Sequence, residues 1–124
     1  MLKDLRKKKR KIQFRDEEIE IQAVSLSFIE TMFDRFPHFG KTLSGNTDKA
    51  PSLASWGIDI VAAIVAAGFG EEGIAEAENA VKEFMTPDEV LEIFMAIYEL
   101  SIPNGALPFV EAGARLGILV PQQA

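Results

Sequence analysis

Cysteine is absent from this chain, and histidine, tryptophan and tyrosine occur once each, as His38, Trp56 and Tyr98. Each scarcity removes a class of function. Without Cys there is no disulfide scaffold, no thiolate zinc site and no thiol redox or Cys-nucleophile chemistry. A single His excludes a multi-His metal cage. Long apolar runs are also missing: the longest, Ile60 to Phe69, is about half the ~20 residues that a spanning helix needs. The basic start runs into Ile12-Gln13-Phe14 and then acids, not into an apolar signal core. The expectation is a soluble cytoplasmic protein without a membrane partner. At 124 residues one domain is expected, large enough to bury roughly 65% of its unfolded surface without metals or cross-links. Composition leans away from an enzyme and towards a binding or assembly protein.

The charge that is present is unevenly placed. Residues 1–15 hold eight basic residues against Asp4, a net +7. The remaining 109 residues hold five basic against eighteen acidic, a net −13. Residues 1–11, with Arg6, Lys7, Lys8, Lys9, Arg10 and Lys11, read as a basic, flexible arm, because like charges repel and little apolar surface is available to bury. Such an arm is one route to nucleic acid. The acidic body would repel a duplex laid across it, so docking on protein is favoured.

The body reads as one helical domain over 12–120, opening with a β-hairpin at 12–24 and followed by a polar tail at 121–124. Ile12 and Phe14, then Ile19, Ile21 and Ala23, alternate around a polar turn at Asp16-Glu17-Glu18, which is a hairpin signal. Pairing would set Lys11 or Arg15 near Glu18 or Glu20. A first helix is predicted from about Ser25 to Phe36, with Ser27 and Glu30 as a capping box and Ser25 as the competing cap. Its stripe would be Leu26, Ile29, Phe33 and Phe36, with Phe28 and Met32 beside it, and Pro37 would end it. Residues 38–51 read as an exposed connection.

A second helix is predicted from Leu53 to Ala67, capped by Ser52, with Trp56, Ile60, Ile64 and Ala67 on one face and Gly68 and Gly70 as its stop. A third would span Glu71 to Phe84 with an apolar stripe of Ile74, Ala77, Val81 and Phe84, and Glu71 and Glu72 in the first turn. Thr86-Pro87-Asp88-Glu89 is the clearest local signal: a cap, a proline at the first helical position and the acid that closes a capping box. The fourth helix would run from Pro87 to Leu100 with a wide face of Val90, Leu91, Phe94, Ile97 and Tyr98. A turn at Pro103-Asn104-Gly105 and a short helix from Leu107 to Leu116 would follow. The fold class expected is mainly α, four to five packed helices with a small N-terminal hairpin.

Candidate chemistry is sparse. His38 lacks partners that would tune it and reads as a loop histidine. Glu72 and Glu76 stand four apart, with Glu78 nearby and Lys82 four residues after it; a solvated helix face outweighs an acid–base pair or hard-cation site. Gly68-Phe69-Gly70 follows a helix and precedes two acids, so it reads as a helix stop and not a phosphate loop. No catalytic, metal or cofactor site is expected. Trp56 is a candidate interface anchor, since Trp is enriched among binding hot spots.

Taken in order, several segments make a recognisable series. They are Ser25-Leu26-Ser27-Phe28, Arg35-Phe36-Pro37, Ala66-Ala67-Gly68, Glu76-Ala77-Glu78, Thr86-Pro87-Asp88-Glu89, Leu100-Ser101-Ile102-Pro103-Asn104-Gly105 and Pro108-Phe109-Val110-Glu111. Over about residues 10–117 the chain resembles the tail assembly chaperones, or pre-tape measure proteins, of long-tailed bacteriophages. The resemblance implies a non-enzymatic protein in the cytoplasm of the infected host. Such a protein binds and solubilises the tape measure protein, helps recruit tail tube subunits, in many relatives through a frameshifted longer form, and is absent from the mature virion; self-association is expected separately, from the opposite charges of the arm and the body. Phe94, Ile97, Tyr98, Phe109 and Leu116 are the expected contact residues, with core positions as the alternative. Residues 72–117 are also similar to carboxymuconolactone decarboxylase-like helical proteins. That family's Cys or His is replaced here by Glu72-Gly73-Ile74-Ala75-Glu76, so the resemblance implies the fold without its usual site.

Overall fold

The computed structural model describes residues 8–41 and 56–102. Two strands and four helices are bounded within them: β1 (Lys9–Phe14), β2 (Glu17–Gln22), α1 (Leu26–Arg35), α2 (Ile58–Gly68), α3 (Ala75–Phe84) and α4 (Pro87–Ser101). The chain is mainly α with an N-terminal antiparallel hairpin, as the patterning predicts.

The hairpin begins earlier and turns tighter than expected. Lys9 pairs with Gln22 and Phe14 with Glu17, so residues 9–11 are strand, not flexible arm. The loop is only Arg15-Asp16, with φ of 51° and 67°. Positive φ at both positions is the signature of the type I′ turn, whose twist matches that of the flanking strands. Alternation places Ile12 opposite Ile19 and Arg10 opposite Ile21, on the side facing the helices, where Ile21 is fully buried. The outer side carries Lys9–Glu20 at 3.7 Å and Lys11–Glu18 at 3.9 Å, diagonal neighbours in the register. Lys11 thus meets its expected partner; Arg15 does not, and reaches Glu89 of α4 at 2.7 Å instead.

Helix α2 is the centre of the domain. Residues Ile60 through Gly68 are all buried, and a helix apolar all round has to be enclosed. α3 and α4 flank it, and the hairpin covers a further side. The predicted continuous helix from Leu53 is corrected at Gly57, which takes φ +89° and caps the N-terminus of α2; glycine adopts that conformation at little steric cost. Ser52 and Leu53 lie outside the described residues. At the other end the Gly70 N–H bonds the Ala67 carbonyl at 3.0 Å and the Glu71 N–H bonds that of Ala66 at 2.9 Å. With Gly70 at φ +85°, this is a Schellman stop.

The third helix is also shorter than predicted. Gly73 takes φ +74°, so α3 starts at Ala75 and its first turn holds Glu76 and Glu78, not Glu71 and Glu72. On α1, Ser25 is the cap: its side chain accepts from the Phe28 N–H at 3.1 Å, and the Ser27–Glu30 box does not form. Phe28, Ile29 and Met32 are buried while Leu26 is 59% exposed, so the inward stripe lies beside the predicted one. The expected exposed connection is corrected at Phe39, which is buried. α4 carries the full capping box with Pro87 at its start, and Val90, Ile93, Phe94 and Ile97 face the core. The turn 103–105, the helix 107–116 and the tail 121–124 lie outside the described residues.

The hairpin lies along α4. Arg10 meets Glu99 at 3.5 Å and Arg15 meets Glu89. Five strand residues cover about 17 Å and ten helical residues about 15 Å, so two ion pairs fit one alignment. Ser101 Oγ donates to the Ile97 carbonyl at 2.7 Å and accepts from the Val24 N–H at 2.9 Å, pinning the hairpin's exit to the end of α4.

Candidate partner-binding surface

The residues expected to form a contact surface fall into three groups. Phe94 and Ile97 are 0% exposed and Trp56 is 3% exposed; all three belong to the core. Tyr98 is partly buried against that core. Phe109 and Leu116 lie outside the described residues. The buried aromatics form a connected set, with Trp56 edge-on to Phe94 at 5.3 Å, to Tyr98 at 5.9 Å and to Phe39 at 6.2 Å. Beside them is an apolar cavity of about 30 Å³ lined by Trp56, Phe94, Ile97 and Tyr98 among others. The Trp56 Nε1 hydrogen has no acceptor among the described residues. Trp56 thus serves packing rather than an exposed anchor, as do Val90, Phe94 and Ile97 of the α4 face, while Leu91 stays exposed.

The basic residues divide similarly. Arg6 and Lys7 are outside the described residues, and Lys8 is exposed. Lys9, Arg10 and Lys11 are strand residues paired with Glu20, Glu99 and Glu18 of the same chain. Half of the expected cationic handle is therefore neutralised internally.

The acids predicted to share one face of a helix do not. Glu72 sits in the turn before α3, and Glu76 is exposed on its first turn. Glu78 is buried and receives a two-pronged bond from Arg35 of α1, Nη1 to Oε2 at 2.8 Å and Nη2 to Oε1 at 2.7 Å. These bonds raise the Arg35 guanidinium above its ordinary value, against the opposing effect of burial. Lys82, expected beside Glu78, instead bonds Asp59 at 3.0 Å. Together the pairs tie α1, α3 and the start of α2. His38 is exposed, and no group of three or more His, Asp or Glu placed to hold a metal occurs among the described residues. No helix among them is long and apolar enough to cross a membrane.

A second ionic site holds the hairpin tip. Arg15 Nε and Nη2 bond the two Glu89 oxygens at 2.7 and 2.8 Å, and Nη2 also bonds the Phe84 carbonyl at 2.8 Å. Glu89 Oε1 accepts from the Thr86 backbone N–H at 2.9 Å as well. The Arg15 bonds, then the Thr86 bond, hold the Glu89 carboxyl down at about 2 against an ordinary 4.5.

Exposed apolar side chains that periodicity did not indicate occur at both ends of α3 and on α2 and α4. Phe84 is 75% exposed, Ile58 54%, Ile74 48% and Leu91 37%. Two open grooves flank Val81 and Met85, which line both. One, about 150 Å³, is bounded by Ile58, Pro87 and Val90. The other, about 250 Å³, is bounded by Phe14, Phe69 and Phe84. Periodicity put Phe84 and Ile74 on the same stripe as Val81 and so towards the core; the buried side of α3 instead runs through Glu78 and Val81. The only sequence signal was a mixed one, a stripe interleaved with acids.

No protein-family model, curated protein or solved structure matches this chain.

Proposed function

We propose that this chain is a tail assembly chaperone of a long-tailed bacteriophage. On this reading it binds and solubilises the tape measure protein in the cytoplasm of the infected host, helps recruit tail tube subunits, and does not enter the mature virion. It acts by masking surface, not by catalysis. The observation that carries the reading is the set of large apolar side chains left on an acidic exterior, Phe84 above all. Exposed apolar patches on a closed domain mark interaction sites. A tape measure chain presents apolar helical stripes until the tube encloses it. A protein that covers them needs apolar surface of its own, of the kind that receives a helix, and net charge to keep the complex dissolved. The series of segments from Ser25 to Glu111 that resembles this family, and the mainly α fold with its N-terminal hairpin, support the same reading.

Self-association of copies along the tape measure chain belongs to this proposal. Co-expression tests it. A tape measure fragment that is insoluble alone is expected to become soluble and to co-purify with this chain. A fragment that stays insoluble at every ratio would remove the reading. In the genome, a long helical reading frame is expected immediately downstream.

A further inference from the structure

We infer that the face around the C-terminal turn of α3 is a docking site for a basic amphipathic helix, a partner segment whose apolar stripe is flanked by Lys or Arg. The inference rests on the assembly reading for the partner's identity and adds its chemistry.

Charge points to the occupant. Residues 56–102 carry ten acidic residues and one basic, Lys82. Lys82 lines the groove beside Ile58 and is engaged by Asp59 at 3.0 Å. Arg15, the cation at the groove beside Phe84, is engaged by both oxygens of Glu89. Both cations at these grooves are therefore compensated. The exposed carboxylates of Glu71, Glu83, Asp88 and Glu92 have no ion pair among the described residues. Glu71 lines the groove beside Phe84 and Glu83 adjoins Phe84 in the chain, so a partner bringing cations to that rim meets free carboxylates. One bringing anions meets cations that are already engaged and a surrounding excess of acids, and like-charge juxtaposition selects against wrong partners.

Shape points the same way. The two apolar grooves adjoin, sharing Val81 and Met85 in their lining, with Val81 buried between them. Phe84 stands out of one groove and Ile58 out of the other. Side chains three and four apart on a partner helix can enter two such adjoining grooves, the mode by which an amphipathic helix seats on an apolar surface.

The test uses the full chain and three labelled peptides of about five turns, roughly 18 residues. One is a Leu/Lys helix with an apolar stripe, one has the same composition scrambled to destroy the stripe, and one is the striped helix with Glu for Lys. The striped Leu/Lys peptide is expected to bind, with affinity falling as salt rises, and the other two to bind far more weakly. Phe84→Ser is expected to weaken it about tenfold or more with the melting temperature unchanged, since Phe84 is exposed. Glu71→Lys with Glu83→Lys is expected to weaken it again. Equal binding by Phe84→Ser, or by the Leu/Glu peptide, would overturn the inference. So would a wild-type dimer that Phe84→Ser makes monomeric, because a second copy would then be the occupant. A tape measure fragment run in parallel separates the two readings. If Phe84→Ser retains the fragment at full affinity, the assembly reading stands and this face is not its site. If the peptides behave as expected and no tape measure fragment binds, the face stands and the assembly reading fails.

Discussion

Gly68 shows how little room the core leaves at single positions. A Cβ built there would run into the Ile97 side chain, where α2 and α4 cross. Alanine is the better helix former by about 1 kcal/mol, yet Gly68→Ala is expected to destabilise the domain by about 1–3 kcal/mol through overpacking. Urea denaturation of Gly68→Ala and of Gly68→Ala with Ile97→Val checks this; the smaller partner should restore part of the loss. Arg35 and Glu78 make a second residue-scale case. Removing one partner of a buried pair strands the other, and Arg35 remains about a third exposed, which screens the effect. Arg35→Met is expected to cost about 1–3 kcal/mol, and adding Glu78→Leu should recover much of it. A double-mutant cycle in urea reads both. This pair was invisible in the sequence because its members stand 43 residues apart. The local rule offered Lys82 as the partner for Glu78, and tertiary placement of α1 overrode it.

At the scale of elements, the hairpin is the part whose attachment is most exposed to test. Its two-residue loop holds Asp16 in a left-handed conformation, which costs a non-glycine residue roughly 1–2 kcal/mol. Asp16→Gly is expected to raise stability by up to about 1 kcal/mol once the greater freedom of the unfolded chain is subtracted, seen as a higher melting temperature. The tip is fastened by Glu89, whose folded-state carboxyl titrates near 2, below its ordinary 4.5. A depressed carboxyl contributes stability that is complete above its unfolded value and disappears as pH falls through the folded one. The Arg15–Glu89 contribution should therefore be lost between about pH 4.5 and pH 2. The melting temperature of wild type should fall more steeply over that window than that of Glu89→Gln, and parallel curves would contradict the assignment. Elements defined by neighbouring residues were legible: the Thr86–Glu89 box, the Pro37 stop and the alternation around Arg15. Helix starts set by glycine were not, because Gly57 and Gly73 fit a helical pattern as well as a break until φ is known. Overlapping stripes were ambiguous too. Leu26 and Phe33 compete with Phe28 and Met32 on α1, and only packing into the common core decides.

For the whole molecule, the split between a basic start and an acidic body is partly resolved inside one chain. Lys9, Arg10 and Lys11 are matched by acids of the hairpin and α4, which leaves the α2–α4 region strongly acidic around exposed apolar side chains. The candidate site was only partly legible. Phe94 and Ile97 stand out for the wide apolar face of their helix and Trp56 as a hot-spot residue type, and large apolar side chains are also what the core recruits first. Phe84 was missed because a side chain three residues from Val81 reads as core. The central claim is that this chain masks a tape measure protein. It is tested most directly by light scattering of a denatured tape measure fragment diluted into buffer with rising amounts of this chain. The account predicts that scattering falls to the buffer level at a fixed ratio of the two chains and that the soluble complex sediments as one species. Scattering that is unchanged across the titration, with the fragment recovered in the pellet, would contradict it.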